Sequence, residues 1–149
     1  MEQDRDFRSV KDIKDLVEAL MKTLDALDIG KSSDADIDAY LDARDQDPFD
    51  SDWNAAYQEL QSRKRGLDKK TLRELESANE QLRERVFKRV LALAGDDAAG
   101  YISDDFGLML DALAMDDMDA SWIFGLYERY ASAALPSGSI PARPRPVLK

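Results

Sequence analysis

From Leu72 to Leu93, apolar residues recur at intervals of three and four, through Leu75, Leu82, Val86 and Val90, with Asn79 as the polar interruption. At about 100° per residue these positions share an arc of about 80°. A stripe that narrow, held over that length, fits an α-helix packed along one face. Val10, Ile13, Leu16, Val17, Leu20, Leu24 and Leu27 form a second stripe, within an arc of roughly 120°. Leu and Ala dominate the apolar set, and Val appears only at positions 10, 17, 86, 90 and 147. With helix formers abundant and β-branched residues scarce, the chain reads as all-α.

Capping residues divide it. Ser9 with Asp12 opens the first helix, and Gly30 stops it. Ser33 with Asp36 opens a short second helix through Ile37, Tyr40 and Leu41 to about Arg44. Residues 45–50 read as a turn around Pro48. Asp50 or Ser51 then caps a third helix that carries Trp53, Ala56, Tyr57 and Leu60 and ends at Gly66. Asp68 opens the fourth and longest helix, with Gly95 as its stop, and residues 96–100 read as a connector. Ser103 is expected to cap a fifth helix to about Met115. Asp116 or Asp117 is expected to cap a sixth, with Trp122, Ile123, Leu126, Tyr130 and Ala134 turned inward.

The expected fold is a compact bundle of about six helices, a single helical domain over residues 1–135. Residues 136–149 hold four of the five prolines, three cations and no acid. They read as an extended, Pro-rich basic C-terminal tail.

Charge is laid down unevenly. Residues 28–52 hold nine carboxylates against Lys31 and Arg44, whereas residues 63–89 hold ten cations against five carboxylates. Single-sign patches steer encounters and set specificity; they do not determine a fold. The net charge of −10 disfavours general attraction to nucleic acid or anionic membrane and suits a basic partner. No apolar run approaches the ~18–20 residues that span a bilayer. The acidic N-terminus does not read as a signal peptide, so a soluble, cytoplasmic protein is expected.

Most enzyme chemistries find no support. The chain has no Cys and no His, so thiolate nucleophiles, histidine bases and the commonest metal ligand are absent. Asp34, Asp36 and Asp38 alternate as in a calcium loop, but that loop needs Gly at its sixth position and Glu at its twelfth. Ala39 and Asp45 stand there, so the run reads as an acidic first helical turn. Asp12, Asp15 and Glu18 could suggest a Mg²⁺-dependent all-α nucleotide hydrolase, yet they lie opposite the leucine stripe of their helix. No cofactor and no metal site are expected.

The reading that remains is a non-catalytic acidic binding protein that docks on a basic protein and inhibits or neutralises it, as an immunity protein or a phage-type inhibitor does. The expected docking residues are Asp34, Asp36, Asp38, Asp42, Asp45, Asp47, Asp50 and Asp52. Tyr40, Phe49 and Trp53 are interleaved with them as apolar anchors. A toxin or nucleic-acid-processing enzyme fits as the target, and homo-oligomerisation is compatible with the sequence. The alternatives are a Mg²⁺-dependent hydrolase and a small regulatory nucleic-acid binder using the basic patch at 63–73. That patch is expected to pair with the acidic stretch, inside the same molecule or across a dimer. Asn79, in its apolar stripe, is either a satisfied core amide or a register-setting residue. Gly107 and Gly125, inside expected helices, suggest close approaches.

Overall fold

The computed structural model describes residues 10–115 and 120–146. Among these the chain is helical, without strands: α1 (Val10–Ala26), a 3-10 turn (Ile29–Lys31), α2 (Asp34–Arg44), α3 (Phe49–Lys64), α4 (Lys69–Ala94), α5 (Asp96–Ala114) and α6 (Ser121–Ala131). Ser9, Asp116 and Asp117, expected as helix caps, lie outside the described residues, as do the last three residues of the tail.

α5 is the axle. From Ile102 to Met115 every residue except Asp104 is buried, the pattern of a helix enclosed on all sides. α4 runs along it and forms the most extensive helix–helix interface of the fold, burying Leu75, Asn79, Leu82, Val86 and Val90. α1 packs across both helices through Ile13, Leu16, Val17, Leu20 and Leu24. Each such side chain contributes about 1.5–3 kcal/mol of hydrophobic stabilisation. α2, α3 and α6 close the other side of α5.

Several boundaries differ from expectation for identifiable reasons. Residues 96–100 are the first turn of α5, not a connector. Gly95 takes φ +91°, which turns the chain at once, and Asp96 and Asp97 suit the positive end of the new helix. Ser103 is therefore interior; its hydroxyl donates to the Gly100 carbonyl at 3.0 Å. α3 begins at Phe49, ahead of the expected cap, and Asp47 accepts from the Ser51 N–H at 3.1 Å. Leu93, expected in the buried stripe, is 49% exposed in the last turn of α4. α6 ends at Ala131, so Ala134 falls beyond it; Ala133 turns left-handed (φ 62°), and the Ala134 N–H bonds back to the Arg129 carbonyl.

The caps at Ser33 and Asp68 form as expected. Ser33 Oγ accepts from the Asp36 N–H at 3.1 Å and Asp68 from the Thr71 N–H at 2.7 Å. Gly107 and Gly125, the two glycines expected inside helices, both sit at close approaches. A Cβ on Gly107 would lie 2.8 Å from Arg83 Cδ of α4, and one on Gly125 would lie 2.0 Å from the Pro141 carbonyl oxygen. Residues 134–146 form no helix or strand. Ile140 is buried, and Arg145 donates to the Leu113 and Met115 carbonyls at the end of α5. No helix among the described residues is long and apolar enough to cross a membrane.

Candidate functional site

α2 places Ile37, Tyr40 and Arg44 inward at intervals of three and four, so its aspartates face solvent. Asp34, Asp36, Asp38, Asp42, Asp45, Asp47 and Asp50 are exposed, and Asp52 is half-buried. Among the described residues none of these eight takes part in an ion pair. Two have uncharged hydrogen-bond partners: Asp45 accepts from the Tyr101 hydroxyl at 2.7 Å, and Asp47 from Ser51. Pairing of this stretch with residues 63–89 does not occur. The α4 cations turn elsewhere, Arg85 to Glu18, Arg89 to Asp25 and Lys88 to Glu84.

The three expected aromatic anchors are placed differently from one another. Tyr40 and Phe49 are turned inward, 7% and 1% exposed, because they enclose a cation. The Arg44 guanidinium lies 4.6 Å from the Phe49 ring centroid, 4.8 Å from that of Tyr101 and 5.7 Å from that of Tyr40. Little of either ring is left for a partner. Trp53 is half-buried and stacks on Tyr57, with ring centroids 5.5 Å apart and 12° between planes. Tyr57 is 41% exposed.

Beneath the acidic face lies a polar network centred on α5. Arg44 meets Asp105 through two hydrogen bonds, at 2.6 and 2.8 Å. Asp105 also accepts from Trp53 Nε1 at 2.9 Å and from the Tyr130 hydroxyl at 2.6 Å. Burial alone would pull Arg44 down, but the charge and hydrogen bonds of Asp105 outweigh it and hold the guanidinium above its ordinary value. Burial and the same carboxylate push Tyr40 and Tyr130 up, so both stay protonated. A second buried pair follows at the far end of α3, where Lys64 meets Asp111 at 3.1 Å. Asn79 donates to Asp111 and to the Gly107 carbonyl at 2.9 and 2.8 Å, so it is a satisfied core amide. Burial pushes the Asp111 carboxyl above the usual range, against the opposing pull of Lys64.

The Trp53–Asp105 hydrogen bond and the Lys64–Asp111 pair fasten α3 to α5, while α3 and α4 make few contacts with each other. The result is an open groove of about 780 Å³ between α3 and α4, floored by α5. A side hollow of about 180 Å³ adjoins the acidic face, and Trp53, Asn54 and Asp104 line both. Among the described residues Asp104, exposed to the groove, makes no hydrogen bond or ion pair. The protein around it nevertheless pushes its carboxyl above the usual range, Arg83 and Arg44 opposing the shift and Asp105 adding to it. Sequence reasoning missed Asp104, Asp105, Asp111 and Lys64. The available signal was three acids in the largely apolar run from Ile102 to Met115, since a buried carboxylate requires a partner.

In the basic patch, Arg63 pairs with Glu59 and Lys64 is buried. Arg65, Lys69, Lys70 and Arg73 are exposed and form no ion pair among the described residues. A further hollow between α1 and α4 is lined by Ile13, Val17, Glu18 and Arg85. Among the described residues no group of three or more His, Cys, Asp or Glu side chains is arranged to hold a metal ion.

Comparison with curated proteins and with solved structures finds no match. A family model described as "Immunity protein PIM1" matches residues 16–137, a span that takes in the acidic face, the groove and both buried ion pairs. The chain therefore belongs to the Immunity protein PIM1 family.

Proposed function

We propose that this protein is a non-catalytic inhibitor that neutralises a toxin by docking its acidic α2–α3 face on a basic surface of that toxin. Family membership supports an immunity role, and such a role calls for a protein partner. The observation that carries the rest is that Asp34, Asp36, Asp38, Asp42 and Asp50 face solvent without a cation of their own. Such a surface accelerates encounter with a positive patch and disfavours acidic competitors. With Tyr40 and Phe49 enclosed around Arg44, the apolar contact falls to Trp53 and Tyr57. Both partners meet in the cytoplasm.

An affinity pull-down at low and at high salt tests this. A basic toxin retained at low salt and released at high salt supports the proposal, and so does protection of cells from that toxin by the wild-type chain. A retained partner that is acidic, or whose retention ignores salt, contradicts it.

The exposed, unpaired Arg65, Lys69, Lys70 and Arg73 favour a second reading, nucleic-acid binding, which the net charge of −10 opposes. Gel retardation at low salt decides between them, because phosphate contacts formed by this patch would be strongest there.

A further inference from the structure

Asp104, Asp105 and Asp111 project from α5 toward the helices around it, and they differ in what they meet. Asp105 is engaged by Arg44, Trp53 and Tyr130, and Asp111 by Lys64 and Asn79. Asp104 stands where the groove and the side hollow meet, without a hydrogen bond or ion pair. Arg83 of the groove wall donates through Nε to Asn79 at 2.6 Å and acts on Asp104 only through space, and Arg44 is held by Asp105. The exposed Asp104 carboxylate therefore keeps its oxygens open to a visiting cation.

Its surroundings suit one kind of visitor. Trp53 is fixed by its bond to Asp105 and stacked on Tyr57, so the two rings make a preformed aromatic wall beside Asp104. The walls are also predominantly negative. Once the Lys64–Asp111 pair and the Asp105-bound Arg44 are set aside, Asp45, Asp50, Asp104, Glu76 and Glu80 line the two hollows against Arg73 and Arg83. A carboxylate beside an aromatic face is the combination that a guanidinium uses best, since its plane stacks while its N–H fork grips the oxygens. An ammonium uses only the charge.

We infer that this opening receives an arginine side chain of the protein partner, its guanidinium paired with Asp104 and resting against the Trp53–Tyr57 wall. The inference rests on the reading of the chain as a binder of a basic protein, and it names the contact that anchors the complex after the α2 aspartates have steered it. The side hollow, about 180 Å³, has room for a side chain and not for a helix, so the rest of the partner lies over the groove.

The test uses the full ¹⁵N-labelled chain and the blocked tripeptide acetyl-Gly-Arg-Gly-amide, with its lysine and citrulline counterparts. The chain has two tryptophans, Trp53 and Trp122, so its indole N–H region holds two reporters. The arginine peptide is expected to shift the Trp53 indole signal saturably in the millimolar range and to leave Trp122 in place. Lysine should bind more weakly, and citrulline, which has the same shape without the charge, should give no saturable shift. Asp104→Asn should weaken the arginine peptide about tenfold while the free variant keeps the Trp53 indole position that reports its bond to Asp105. Glu128→Gln, exposed on α6 away from both hollows, should change nothing. Equal binding of citrulline, equal or tighter binding of lysine, an unaffected Asp104→Asn variant, or a response at Trp122 in place of Trp53 would each overturn the inference. Failure here alongside a salt-sensitive toxin complex removes the arginine socket and leaves the acidic docking face standing. A socket that binds arginine beside a toxin complex indifferent to salt does the reverse.

Discussion

Arg44 and Asp105 face each other across the α2–α5 contact through two hydrogen bonds of 2.6 and 2.8 Å, with side chains 4% and 0% exposed. Everything that orients the candidate site runs through this pair. It fixes Trp53, draws Tyr40 and Phe49 inward, and holds α2 with its aspartates outward. Removing one partner strands a buried charge, so Arg44→Met or Asp105→Asn should each cost about 3–5 kcal/mol in urea denaturation. Arg44→Met combined with Asp105→Asn should cost well under the sum of the singles, as a double-mutant cycle would show.

Asp104 should behave oppositely, as a residue that stability does not favour. Partial enclosure and Asp105 raise its carboxyl from the ordinary 3.8, against Arg83 and Arg44. The folded chain therefore binds more protons than the unfolded one above that value, and this group's contribution to stability falls as pH rises through its folded titration. Asp104→Asn lacks that loss. Its stability relative to wild type should climb as pH rises from the ordinary carboxylate range through that folded titration, followed by denaturant unfolding at each pH; a flat difference contradicts the assignment.

Gly125 admits no side chain. A Cβ there would fall 2.0 Å from the Pro141 carbonyl oxygen, a backbone atom that cannot yield as a flexible side chain can. Gly125→Ala should cost about 1–3 kcal/mol and push residues 140–146 away from α6. Amide exchange at Arg143, whose N–H donates to the Ser121 carbonyl at 3.1 Å, should speed up in the variant while the α4 amides keep their protection.

Ala133 holds a left-handed backbone (φ 62°) just past α6, a conformation that costs a residue with a Cβ roughly 1 kcal/mol. Ala133→Gly should relieve part of that strain and leave stability unchanged or raised by a few tenths of a kcal/mol. A clear fall in the melting midpoint would show that the methyl group is doing something else.

The helices were legible wherever a local signal acted alone. Ser33 with Asp36 and Asp68 with Thr71 announce caps that the structure forms, because capping involves only neighbours in sequence. The start of α5 was hidden because Asp-Asp-Ala-Ala-Gly has the composition of a loop. What decides it is the turn at Gly95 and the tertiary burial of Ala98 and Ala99. The acidic face could be read in advance, since exposed aspartates have no competing demand on them. Tyr40 and Phe49 could not, because nothing local reveals that Arg44 of the same stretch turns inward to an acid on another helix. The groove was equally invisible, since it arises from α3 and α4 both holding α5 without closing on each other.

The central claim, that unpaired aspartates on α2 and α3 steer the chain onto a basic toxin, is tested most directly by association kinetics. Stopped-flow mixing with the toxin recovered at low salt would compare wild type with a variant carrying Asp→Asn at 34, 36, 38, 42 and 50. The association rate of the variant should be at least about tenfold lower at low ionic strength and converge with wild type at high salt. Dissociation rates should change far less. Equal association rates at low salt, with the variant folded, would contradict it.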